Sequence, residues 1–172
     1  MRKILIVVDM QNDFVDGALG SAEAQAIVPN VVEKVRTWDP NNLYFTRDTH
    51  YSDYLATLEG KYLPVEHCIH QTDGWQIIDE LLPYVEEDSQ VLDKETFGYD
   101  QWGRMYFGFE PEFELVGLCT DICVVSNALT LRMFYPEAKI TVDASCCAGV
   151  TPEKHLAALE VMKSCQIEVI NE

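Results

Sequence analysis

The chain has 172 residues, 48% hydrophobic and 24% charged, which suits one domain over residues 1–172 with a core of its own. Its 12 basic and 29 acidic residues leave a net charge of −17; a field of that sign repels phosphate backbones and anionic bilayers and argues against nucleic acid and membrane partners. No apolar run approaches the ~20 residues of a membrane-spanning helix, and the opening MRKILIVVDMQNDF turns polar at Asp9, too early for a secretion signal, so a cytoplasmic protein is expected.

The elements alternate between two periods. KILIVVD at 3–9 is a continuous apolar run ending in an acid, the pattern of a central parallel strand covered on both faces. Ser21 can cap a helix over 22–37 that places Ile27, Val31, Val32 and Val35 on one face. NLYFTRD at 42–48 reads as a second strand, and GWQIIDELLPYV at 74–85 as a short amphipathic helix. Strands follow at 90–94, 113–119 and 139–145, helices at about 121–135 and 152–164, and a last strand at IEVIN. Strand and helix in alternation predict an α/β three-layer sandwich, a central and mostly parallel sheet of about six strands flanked by helices. The long irregular stretch 49–73 is of the kind that carries function in a compact domain.

Ligands in such folds bind beyond the carboxyl ends of the strands. Asp9, Asp48, Lys94 and Cys123 each lie at or just past such an end. Cys123 is the nucleophile candidate among six cysteines (68, 119, 123, 146, 147 and 165), which otherwise read as free buried thiols. A thiol in the first turn of a helix faces unpaired amides and the positive dipole end, which favours thiolate and provides oxyanion donors; the plain alternative is a small buried residue packing a helix start. An apolar setting would raise the pKa of Asp9 and suit it to take the thiol proton, while Lys94 would stabilise the thiolate. Asp48 and His50, two apart in an extended segment, share a face, and His67 can complete a three-ligand metal site; the alternative there is polar loop residues without a metal. His70 and His155 read as surface residues.

The residues then carry a family resemblance. VVDMQNDFVDGAL at 7–19, DKETFG at 93–98 and GLCTDICVVSNAL at 117–129 resemble the three motifs of the isochorismatase-like cysteine hydrolases, in order and over essentially the whole chain. FTRDTHYSDY followed by GKYLPVEHC is similar to the metal segment of the nicotinamidases within that superfamily. The resemblance implies Asp9, Lys94 and Cys123 as the catalytic set, and a cis peptide before Cys119 that directs the Cys119 and Cys123 amides at an oxyanion. It also implies Asp48, His50 and His67 as ligands of one divalent ion, zinc first and iron or manganese otherwise. The fourth ligand is left among Glu59, Asp53 and water. Phe14 and Phe97, with Leu63 beside them, would wall the substrate ring. The implied reaction converts nicotinamide to nicotinate and ammonia through a thioester. Another amidase or ureido hydrolase with a different small substrate, and a non-catalytic binding protein, are the alternatives. The family often forms dimers or tetramers, so a homo-oligomer is the expected partner besides the small amide.

Overall fold

The computed structural model describes residues 2–85 and 90–172. Six strands form one sheet: β1 (Lys3–Val8), β2 (Leu43–Asp48), β3 (Val91–Lys94), β4 (Glu112–Leu118), β5 (Lys139–Ala148) and β6 (Glu168–Ile170). Their order is β3-β2-β1-β4-β5-β6, and every neighbouring pair is parallel. Winding reverses between β1 and β4, so the crevice beyond their carboxyl ends is the place where such a sheet opens for a ligand.

The apolar run of β1 explains its central position. Leu5 and Val7 face one layer, with Ile27, Val31 and Val35 of α2 (Ala22–Arg36). Ile4, Ile6 and Val8 face the other, with Ala128 and Leu131 of α4 (Val125–Phe134) and Leu159 and Met162 of α5 (Pro152–Ser164). Each such side chain contributes about 1.5–3 kcal/mol when fully buried, and the two-sided burial selects a parallel sheet between helical layers. Ser21 caps α2 by accepting from the Ala24 amide at 3.0 Å. No helix among the described residues is long and apolar enough to cross a membrane.

Three segments differ from expectation. Residues 74–85 form no α-helix; short 3₁₀ turns at Asp73–Trp75 and Leu82–Tyr84 bracket an extended piece in which Ile77 bridges Gln11. Pro83 lacks the amide donor an α-helix would use there and disfavours one, and the bridge lets Trp75, Ile77, Ile78 and Leu81 all enter the first core. The helix expected from 121 begins as a π-type turn, Thr120–Val124, before α4. Strand β5 runs three residues past 145, with a register shift against β4 between Leu115 and Gly117.

Candidate active site

Four strand ends meet at one rim. Asp9 leaves β1 with φ 47°, a left-handed conformation that aspartate tolerates better than most residues, and the turn hands the chain to α1 (Asn12–Val15). Asp48 and Lys94 end the adjacent strands β2 and β3 in register with each other. Near the end of β4 the chain passes Gly117, whose φ of 115° and approach to β1 admit no side chain: a Cβ there would lie 2.1 Å from the Val8 carbonyl oxygen. The Leu118–Cys119 peptide is cis, and the π-type turn that follows holds Cys123.

Lys94 is the hub. Its Nζ lies 2.7 Å from Asp9 Oδ2, 3.2 Å from Asp48 Oδ1 and 3.5 Å from Cys123 Sγ. Burial opposes its charge, but Asp9, Cys123 and Asp48 outweigh that and keep the ammonium protonated well above the lysine range. Burial raises Asp9 above the ordinary carboxyl value despite Lys94. The same burial acts on Asp48, yet Lys94, His50 and His67 hold that carboxyl far below the usual range. Thr46 Oγ1 donates to Asp9 Oδ1 at 2.6 Å.

Opposing influences act on Cys123. Burial pushes the thiol above its ordinary value; Lys94 opposes the shift, and Asp9 and Asp48 add to it. The sulfur lies against the Lys94 ammonium. It is not sealed: Cys123 lines a cavity of about 460 Å³.

The stretch 49–73 folds back on the same rim. Asp48, His50, Glu59 and His67 each offer a ligand atom, all within 4.8 Å of one another. His50 Nε2 is 2.9 Å from Asp48 Oδ2 and 3.7 Å from Glu59 Oε1, and His67 Nε2 is 3.6 and 3.8 Å from the same two atoms. Ligands at about 2.0–2.2 Å from a tetrahedral ion stand roughly 3.3–3.6 Å apart, so two imidazoles and two carboxylates at this spacing fit a divalent cation. Val65 O at 2.8 Å orients the His67 ring through Nδ1. Glu59 lies at the start of α3 (Leu58–Tyr62), and Asp53, its rival, is exposed and outside the group. Phe14, Leu63 and Phe97 all line the cavity with Cys119, Cys123, Asp48 and His67.

Several residues that frame the site escaped sequence reasoning. Gln11, fully buried, donates to Asp48 O and Trp75 O and accepts from the Asp48 amide at 2.7 Å, so one side chain clamps the end of β2. Asp13 accepts from the Cys68 amide at 2.7 Å and ties the His67 loop to α1. Asn127 donates to Cys123 O at 2.8 Å and accepts from Tyr99 N and Trp102 Nε1. Gln11 and Asp13 stand in the first motif, so the signal was present; Asn127, a buried amide amid apolar residues, offered a fainter one. His155, expected at the surface, is half-buried and bonded to Thr120, whereas His70 is exposed.

Known proteins converge on this arrangement. The isochorismatase domain model matches residues 3–102 and 109–172. The nicotinamidase/pyrazinamidase of Mycobacterium tuberculosis is 26% identical, with 98% of each chain covered. Among solved structures, the nicotinamidase/pyrazinamidase of Bacillus subtilis superposes with a TM-score of 0.82 at 27% identity, over 99% of this chain and 100% of that one. The pyrazinamidase of Pyrococcus horikoshii, solved in complex with zinc, gives 0.81 at 26% identity over 100% of both. With fold, motif order and family model in agreement along its length, this chain belongs to the isochorismatase family, in company with that family's nicotinamidase-type amidohydrolases.

Proposed function

We propose that the protein hydrolyses nicotinamide to nicotinate and ammonia, with Cys123 as nucleophile, Asp9 as general base and acid, and Lys94 as the cation that organises both. The observation that carries the reading is the buried Lys94 ammonium, in contact with Asp9, Asp48 and Cys123 at once, two of which, Asp48 and Cys123, line a cavity that also reaches Glu59 and His67. The curated relatives' names support the substrate, and family membership supports the amidohydrolase chemistry.

The chemistry follows from the charges. Asp9, its proton affinity raised by burial, accepts the Cys123 proton as the sulfur attacks the amide carbon; Lys94 stabilises the thiolate that forms. The carbonyl oxygen, now anionic, is held by the Cys119 and Cys123 backbone amides. Asp9 returns the proton to the nitrogen, ammonia departs, and Cys123 is left as a thioester. Water then attacks the acyl carbon, giving its proton to Asp9, and nicotinate leaves as the sulfur is reprotonated. Asp48, His50, His67 and Glu59 would hold the divalent ion, zinc before iron or manganese, which when bound supplies Lewis-acid coordination for a ring nitrogen. Phe14, Leu63 and Phe97 would pack on the ring.

The test is ammonia release from nicotinamide by the purified protein, before and after a chelator, and by Cys123→Ala. Turnover that depends on the metal and vanishes in the variant is expected. Turnover by Cys123→Ala, or none by the metal-loaded wild type, would overturn the reading.

A further inference from the structure

The turn that carries Cys123 is held from outside by the start of α5. Thr120, fully buried, has its Oγ1 2.8 Å from His155 Nδ1. One residue on, Asp121 Oδ1 accepts from the Val150 amide at 2.9 Å. Between these two bonds lies Gly149, where an added Cβ would sit 2.8 Å from the His155 amide nitrogen and 2.9 Å from Asp121 Oδ1, so the segment 149–155 is pressed against the turn. Within the turn, Ile122 N and Val124 N both reach Cys119 O at 3.0 Å. A π-type turn is a sparse frame for two amides that must converge on one oxygen, and the outer bonds supply constraint it lacks.

Burial keeps the His155 imidazole below its ordinary value against the opposing pull of Asp121 and Glu172, so the ring is neutral near pH 7 and pairs with the Thr120 hydroxyl through a single Nδ1 bond.

We propose that His155 is a positioning residue for the reaction: through Thr120 it sets the orientation of the Thr120–Val124 turn and so of the Cys119 and Cys123 amides. The proposal rests on the reading of Cys123 as nucleophile and concerns groups that no part of that reading uses. It separates His155 from a plain packing role because alkylation and acylation make different demands on the turn. Iodoacetamide forms a carbon–sulfur bond and expels iodide without generating an oxyanion. Attack of the same sulfur on a carbonyl, which forms a thioester and expels nitrophenolate from p-nitrophenyl acetate or ammonia from an amide, needs both amides in place.

The experiment measures kcat and KM on p-nitrophenyl acetate and on nicotinamide, and the rate of Cys123 alkylation by iodoacetamide, in wild type, His155→Leu, His155→Asn and Thr120→Val. His155→Leu should lower kcat roughly 10- to 100-fold on whichever substrate the wild type turns over, with KM and alkylation rate within about twofold. His155→Asn, whose amide falls near the Nδ1 position, should recover most of the loss, and Thr120→Val combined with His155→Leu should be no worse than either alone. If His155→Leu does not fold, Thr120→Val, which keeps the side-chain shape, carries the same comparison. Parallel losses in alkylation and acylation, or an unchanged kcat, would overturn the proposal. A wild type that is acylated by the ester and ignores nicotinamide would sink the substrate and still test His155; no acylation of Cys123 by either substrate would sink both.

Discussion

Replacing Gln11 with leucine should disable the rim from a residue that touches no substrate. The Gln11 amide makes three hydrogen bonds, two donated to Asp48 O and Trp75 O at 2.9 Å and one accepted from Asp48 N at 2.7 Å, with none of its surface exposed. Leucine, similar in volume, would orphan all three backbone groups. At about 1–3 kcal/mol for each buried unsatisfied group the loss is about 3–9 kcal/mol, and the apolar gain of a buried leucine offsets about 1.5–3 kcal/mol of it. The net is centred near ~4 kcal/mol, a large share of the about 5–15 kcal/mol by which domains are stable. Because the bonds fix the backbone of Asp48, metal affinity should fall roughly 10- to 100-fold as well. Urea unfolding should show a lower midpoint at unchanged slope, and competition with a chelating dye reports the metal. A stability loss below about 1 kcal/mol together with unaltered metal affinity would refute the clamp.

Asp9→Asn, which keeps the shape and an oxygen for the Thr46 hydroxyl at 2.6 Å, should lower kcat on nicotinamide by about 10²–10⁴-fold, the range of a lost general base; turnover within tenfold of wild type, measured as ammonia, would remove Asp9 from that role. Gly117→Ala should cost at least about 3 kcal/mol, strain and overlap acting together, because the new Cβ meets the Val8 carbonyl at a φ of 115°; an unfolding midpoint near wild type would contradict the close approach. Far from the site, Lys34 is paired with Glu114 and Asp143 beneath α2. Burial pushes the Asp143 carboxyl up, but bonds from Lys34, Ser145 and Asn171 outweigh it and leave it below its ordinary 3.8. A depressed carboxyl stabilises the fold above its unfolded pKa and loses that contribution as pH falls through the folded one. Wild type should therefore outlast Asp143→Asn in unfolding midpoint at pH 6, with the gap closing only below about pH 4; a gap that widened toward acid would show the wrong sign.

What was legible in the sequence follows from locality. Asp9, Asp48, Lys94 and Cys123 each follow an apolar run, and a parallel sheet delivers strand ends to one edge whatever the detailed register. The contact between Lys94 and Asp48 needs β2 and β3 in one particular register, which no local pattern encodes. Residues 74–85 show how a helical period fails: its apolar positions fit a helix, but Pro83 and the Gln11–Ile77 bridge impose an extended path. The proton affinity of Cys123 likewise depends on burial and on Lys94, Asp9 and Asp48, which arrive from three other strands and which the start of its own helix does not reveal. His155 lies 32 positions beyond Cys123 in the chain, and only the return of α5 to the nucleophile turn makes it part of the site.

The proposed reaction requires a covalent bond between Cys123 and an acyl group. Acid quenching of the metal-loaded protein during nicotinamide turnover, followed by intact mass and peptide mapping, should find a nicotinoyl adduct on the Cys123 peptide in wild type and none in Cys123→Ala. Steady ammonia release with the adduct absent at every quench time, or present on another cysteine, would contradict it.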